Sequence, residues 1–286
     1  MSSTEANAGS EDSTEVQLPL LAAPRAEVFL VETIEELEEA VQTLAAGSGP
    51  FAVDAERASG FKYSQRAYLI QVYRAGSPIY LIDPAAIAPT ADEAPFAGLA
   101  EVLRSDAWIL HAASQDIPCL RELGINPSQL FDTELGARIA GLPRVGLGPL
   151  LESLMGVSLA KEHSAVDWSQ RPLPVDWLNY AALDVELLVE LRNKVYQLLD
   201  EAGKLQWALE DFAAILAAPP APPRVDPWRR TSGMHKVKKR NHMAVVRELW
   251  QARNSLAEDL DISPSRLLSD AAITEIALAS DKGPIT

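Results

Sequence analysis

The runs Phe51-Ala52-Val53-Asp54-Ala55-Glu56, Ala67-Tyr68-Leu69-Ile70-Gln71-Val72-Tyr73 and Ile79-Tyr80-Leu81-Ile82-Asp83 follow one another within residues 50 to 83. Each is short and rich in β-branched or aromatic side chains, with Gly or Ser-Pro turn chemistry between them, a pattern that predicts an antiparallel three-strand meander. Upstream, Thr33-Ile34-Glu35-Glu36 reads as a capping box, and Ile34, Leu37, Val41 and Leu44 recur at helical spacing, so 33 to 46 should be an amphipathic helix with a first strand after it. Downstream, a helix around Phe96 to Arg104 precedes a fourth strand, Ala107-Trp108-Ile109-Leu110-His111, which leads directly into a helix beginning at Ser114. A short fifth strand, Leu130-Phe131, ends at Asp132, a natural cap for the helix carrying Leu135 and Ile139. The rest to Leu216 reads as helical, including one long run from Trp177 to Leu199. Strands first and helices later indicate an α/β or α+β domain with a mixed sheet.

Apolar residues make up 48% and charged residues 23% of the 286 positions, which excludes wholesale disorder, collagen and coiled-coil arrays and allows a large domain plus a smaller module. Cys119 is the single cysteine, so no internal disulfide can form. Nothing near Met1 reads as a secretory segment, and no apolar run approaches the roughly 18 residues that span a membrane. The expectation is a soluble cytoplasmic protein without a membrane partner.

The net charge of −15 is unevenly spread: residues 1 to 46 carry ten acids and one base, whereas residues 219 to 286 carry 8 acids and 11 bases. Within Arg224 to Arg253, nine Lys or Arg face only Asp226 and Glu248, a cluster suited to a polyanion or to a solvated linker and helix face. Pro219-Pro220-Ala221-Pro222-Pro223 favours a stiff spacer before it. Beyond it, Met243 to Leu256, a helix opening at Ser263-Pro264 and another at Asp270 outline a small all-helical module.

Asp54 and Glu56 are two apart on a predicted strand and so share a face. At about 4 Å and an effective dielectric of about 20, two such charges repel by on the order of 4 kcal/mol, which a divalent cation between them would relieve. A solvent-facing acidic strand is the bland alternative. Asp116 stands in the first turn of its predicted helix, where an acid is favoured by the helix dipole alone. Tyr180 and Asp184, four apart, place a phenol beside a carboxylate on one helix face, as any amphipathic helix with one exposed acid also would.

In order, these are a strand Val53-Asp54-Ala55-Glu56-Arg57-Ala58-Ser59-Gly60, a His111-Ala112-Ala113-Ser114-Gln115-Asp116 turn, Asp167-Trp168-Ser169-Gln170-Arg171-Pro172-Leu173, and a late helix Tyr180-Ala181-Ala182-Leu183-Asp184-Val185-Glu186. The combination resembles the tyrosine subclass of the DEDD family of 3′-to-5′ exonucleases, and ribonuclease D within it, over roughly 27 to 215. The tail from about Asn241 resembles the start of an HRDC module, and the chain stops at Thr286, before such a module is normally complete. The resemblance implies an α/β ribonuclease H-like mixed sheet with flanking helices and a small all-helical HRDC-like module after it. It divides the chain into a flexible leader over 1–26, an exonuclease domain over 27–217, a Pro-rich and basic linker over 218–240 and a helical module over 241–286.

It also implies two divalent cations, Mg²⁺ or Mn²⁺, one held by Asp54, Glu56 and Asp184, with Asp54 bridging to a second that Asp116 supports through water. Tyr180 would orient the attacking water, and nucleoside 5′-monophosphates would leave from the 3′ ends of single-stranded RNA, tRNA precursors among them, under the action of a monomer. The same fold would serve a DNA exonuclease or a catalytically silent RNA-binding scaffold. The basic tail would extend the RNA footprint, its removal leaving short oligonucleotides cut almost as before.

Other residues carry open readings. Phe61, Lys62, Tyr63, Gln65 and Arg66 form an aromatic-basic segment that suits stacking on terminal nucleotides or a mobile turn. Lys161, Arg171 and Trp168 suit RNA contact, packing or a solvated loop. His163 lacks the spacing to Asp167 and the helix placement of the histidine subclass. Cys119 reads as a small buried residue with no base beside it.

Overall fold

The computed structural model describes residues 18–88, 95–159 and 165–282. In chain order the elements begin with β1 (Leu20–Leu21), β2 (Val28–Val31), α1 (Ile34–Ala46), β3 (Phe51–Arg57), β4 (Ala67–Arg74), β5 (Ile79–Ile82), α2 (Pro84–Ile87) and α3 (Ala97–Leu103). There follow β6 (Trp108–Leu110), α4 (Ile117–Glu122), β7 (Leu130–Asp132), α5 (Thr133–Ala140), α6 (Leu147–Met155) and β8 (Ser158–Leu159). Helices α7 (Val175–Glu186), α8 (Leu188–Glu201) and α9 (Leu205–Ala217) close the first unit, and α10 (Arg240–Asp259), α11 (Pro264–Leu267) and α12 (Asp270–Ala279) form the tail.

The meander forms as its turns predict: β3 pairs antiparallel with β4 and β4 with β5. Parallel strands extend it on both sides, giving one six-stranded sheet in the order β2-β5-β4-β3-β6-β7. Because helices cover both faces, β4 is buried along almost its whole length rather than alternating. The fold is α/β, a ribonuclease H-like mixed sheet with flanking helices. Thr33 caps α1 as its spacing implies: its hydroxyl accepts from the Glu36 N–H at 3.2 Å while the Glu36 carboxylate accepts from the Thr33 N–H at 3.1 Å. Leu37, Ala40 and Leu44 of that helix are buried.

Three sequence expectations are corrected. The strand after α1 is not the first, because β1 and β2 precede that helix: Val28–Val31 pairs in parallel with β5 at the sheet edge, and its partly exposed four residues are too few to establish a period. The helix expected from Ser114 starts at Ile117, because Ala112 takes a left-handed φ of 61° and residues 112–116 form a turn. The run from Trp177 to Leu199 is two helices, broken at Leu187.

The tail has its own core, in which Trp228, Val237, Val246, Ile273 and Ala277 are buried together. Trp228 and Val237 lie within the stretch 218–240 that reads as linker, so the packed tail reaches back to Trp228 while Pro219 to Pro223 run exposed. No helix among the described residues is long and apolar enough to cross a membrane.

Candidate active site

Strand pleating puts Asp54 and Glu56 on one face of β3, opposite Gln71 and Leu69 of β4. Helix α7 packs against β3, β4 and β5, and its i, i+4 spacing brings Tyr180 and Asp184 to the same place. Asp54, Glu56 and Asp184 each offer a carboxylate oxygen, and these oxygens all lie within 4.8 Å of one another. Three converging anionic oxygens without nitrogen or sulfur donors fit a hard divalent cation such as Mg²⁺ or Mn²⁺. Asp116 lines the same cleft, which has a volume of about 850 Å³.

The turn that presents Asp116 is held by Asp132, which does more than cap α5. Its carboxylate accepts from the Glu134 and Leu135 N–H groups at the helix start and also from the Ala112 and Ala113 N–H groups at 3.1 and 2.9 Å. The side chain of Asp116 makes no capping bond to its own helix. The Thr133 hydroxyl lies 3.1 Å from the Leu110 carbonyl, to which it donates, and 2.9 Å from Nδ1 of His111.

Crowded, buried carboxylates resist ionisation. Burial raises Asp54 to about 6, against the lowering effects of the Ala55 N–H and of Arg57. Asp116 is raised to about 9, by burial first and then by Asp54. Glu56 is raised well above the usual range, again by burial, with Asp54, Asp184 and Asp116 adding to it. Burial and the neighbouring Asp184 and Glu56 also raise Tyr180, so its phenol keeps its proton at neutral pH. Burial lowers His111, keeping the imidazole neutral. Cys119 is pushed up to about 12 by burial and by Asp116, which leaves an inert thiol donating to the Asp116 carbonyl.

All five residues expected at the site, Asp54, Glu56, Asp116, Tyr180 and Asp184, line this one cleft. None of Phe61, Lys62, Tyr63, Gln65 and Arg66 does. Phe61, Lys62, Tyr63 and the neighbouring Ser64 bond to the tail module, Gln65 donates to the Tyr63 carbonyl, and Arg66 lies over the Tyr68 ring. Arg171, a residue at the surface, pairs with the fully buried Asp83 and donates to the Tyr68 and Trp168 carbonyls at 2.8 and 2.7 Å. Trp168 is fully buried beside Trp177 and Tyr180. Lys161 and His163 lie outside the described residues.

The cleft also holds residues that the sequence did not single out: Arg57, Gln115, Gly146 to Pro149, and Ser158 with Leu159. Arg57 should point away from Glu56 on a regular strand. Arg57 nevertheless lines the cleft, and the β3–β4 register shifts between the two residues, an irregularity that no residue type in the motif announces.

Residues 28–200 match a family model described as 3′-5′ exonuclease. The chain belongs to that family. Residues 242–282 match the HRDC domain model. Among its curated relatives, ribonuclease D of Granulibacter bethesdensis is 34% identical over 68% of the chain, and that of Gluconacetobacter diazotrophicus is 33% identical over 87%. The chain spans 49% and 62% of the lengths of those two relatives. A crystal structure of a protein from Bifidobacterium adolescentis superposes with a TM-score of 0.87 at 42% identity, covering 94% of this chain and 65% of that one. Escherichia coli RNase D shares the fold, with a TM-score of 0.66 at 24% identity over 88% of this chain and 66% of its own.

Proposed function

We propose that the protein is a divalent-metal-dependent 3′-to-5′ exoribonuclease that releases nucleoside 5′-monophosphates from single-stranded RNA 3′ ends. The observation that carries this reading is the convergence of Asp54, Glu56 and Asp184 on one point, with Asp116 and Tyr180 facing it in a cleft wide enough for a chain end. The names of the curated relatives support RNA as the substrate; in this reading tRNA precursors are among the substrates and Mg²⁺ or Mn²⁺ is the cation.

Asp54, Glu56 and Asp184 would hold one cation, and Asp54 with Asp116, the latter through water, a second. When bound, the pair supplies Lewis-acid stabilisation of the attacking and leaving oxygens of an in-line displacement. Tyr180, protonated at neutral pH, uses its hydroxyl to orient the attacking water; it is a positioner, not a base. Asp116 must give up its proton to take part, since burial holds that proton to about pH 9 in the metal-free protein. The protein acts as a monomer in this reading.

The test compares 5′-labelled single-stranded RNA and DNA of one sequence, each with a free or a phosphate-blocked 3′ end, in Mg²⁺, Mn²⁺ or EDTA. A ladder descending from the free RNA 3′ end, slower on the blocked end and absent in EDTA, is expected. Cleavage inside the chain, or equal rates on RNA and DNA, would overturn the exonucleolytic or the RNA part of the proposal respectively.

A further inference from the structure

The loop joining β3 to β4, residues 58–66, leaves the cleft wall and ends up gripped by the tail. Its backbone is bonded at three places: the Gly60 carbonyl accepts from Arg266 Nε at 3.0 Å, the Phe61 carbonyl from the Ser263 N–H at 2.9 Å, and the Ser64 N–H donates to Asp261 Oδ1 at 2.9 Å. Side chains add to the grip, with Asn254 donating to the Tyr63 hydroxyl at 2.8 Å, the Arg266 guanidinium 4.2 Å from the centre of the Phe61 ring, and Lys62 at 3.7 Å from Asp261. The half-exposed Lys62–Asp261 pair contributes little. The bonds to backbone groups fix the path of the loop.

That path begins immediately after Glu56 and Arg57. Ser59, in the loop itself, lines the cleft, and Arg57 is the one permanently charged cation among the described residues that do so. Arg57 acts electrostatically on Asp54, Glu56 and Asp116, and no hydrogen bond or ion pair to another described residue holds its guanidinium. The β3–β4 register shifts between Glu56 and Arg57, just where the loop departs.

We infer that the helical tail is a positioning element of the cleft: Asp261 and Arg266 anchor the 58–66 loop so that Arg57 stays beside the carboxylates, where it meets the phosphate of an RNA 3′ end. The phosphate part rests on the exonuclease reading; the anchoring does not. Removing the tail contacts therefore slows the reaction even on substrates confined to the cleft, which replaces the expectation that short oligonucleotides are cut as before.

The full chain is compared with Asp261→Ala, Asp261→Asn and Arg266→Ala. On a tetraribonucleotide in saturating Mn²⁺, Asp261→Ala and Arg266→Ala should lower kcat by about tenfold, as expected when a reacting group is displaced by a fraction of an ångström. Asp261→Asn should stay close to wild type, because its side-chain carbonyl still accepts from Ser64 and asparagine tolerates the φ of 46° found at this position. Hydrogen exchange supplies a readout independent of activity: in Asp261→Ala the amides of the loop should exchange faster while α10 and α12 keep their protection. Wild-type kcat in Asp261→Ala, or unchanged loop exchange, overturns the inference. If the wild-type protein cuts neither the tetranucleotide nor longer RNA, the exonuclease reading fails instead, and the exchange measurement still decides the anchoring.

Discussion

Replacing Asp54 with asparagine should abolish metal-dependent stabilisation and yet make the metal-free protein more stable. Burial raises the Asp54 carboxyl from 3.8 to about 6. Between these values the folded state binds more protons than the unfolded state, so stability falls as pH rises through that window and the loss is complete above it. The resulting penalty is about 1 kcal/mol at pH 4.5 and about 3 kcal/mol at pH 7.5. Asparagine does not ionise, so in EDTA the Asp54→Asn protein should melt about 5–10 °C above wild type at pH 7.5 and only slightly above it at pH 4.5. In Mn²⁺ at a hundredfold excess over Kd, wild type regains about 2.7 kcal/mol, whereas the variant, short of one ligand, gains little, and the two curves should nearly coincide. Melting curves for both proteins, at both pH values, with EDTA or Mn²⁺, provide the assay. A variant less stable than wild type in EDTA at pH 7.5, or equally displaced at both pH values, would refute the idea that this carboxylate is a strained ligand awaiting a cation.

Because Asp116 holds its proton to about pH 9, the Mn²⁺ concentration giving half-maximal cleavage should fall as pH rises from 6.5 to 8.5, and Asp116→Asn should flatten that dependence; a pH series of metal titrations checks it. Tyr180→Phe should lower turnover by about a hundredfold while leaving calorimetric Mn²⁺ affinity intact, since only the water-orienting hydroxyl is lost. Arg171→Ala leaves the fully buried Asp83 carboxylate with only the Ala85 and Ala86 N–H groups as donors among the described residues, so urea denaturation should show a loss of about 1–3 kcal/mol.

What could be read from the sequence was local. The meander was legible because strand period and turn residues agree over residues 50 to 83, and the period of two already set Asp54 beside Glu56. The four-residue spacing of Tyr180 and Asp184 did the same for the helix. What escaped was long-range or irregular. Arg171 finds Asp83 across 88 positions and Ser64 finds Asp261 across 197, so the aromatic and basic composition of 61–66, and the charge of Arg171, gave no indication of their partners. The register shift at Glu56/Arg57, the second pair of amides on Asp132 and the break at Leu187 carry no glycine or proline signal.

The most direct test of the central claim follows 5′-labelled single-stranded RNA, cut in Mn²⁺ by wild type and by Asp184→Asn. Wild type should shorten the RNA one nucleotide at a time from its 3′ end and release 5′-monophosphates. The variant, which loses one of the three converging carboxylates, should be slower by at least about a thousandfold, a loss on the order of 4 kcal/mol of transition-state stabilisation. A wild-type protein without 3′-to-5′ activity, or a variant retaining more than about a tenth of it, would contradict the assignment of the site.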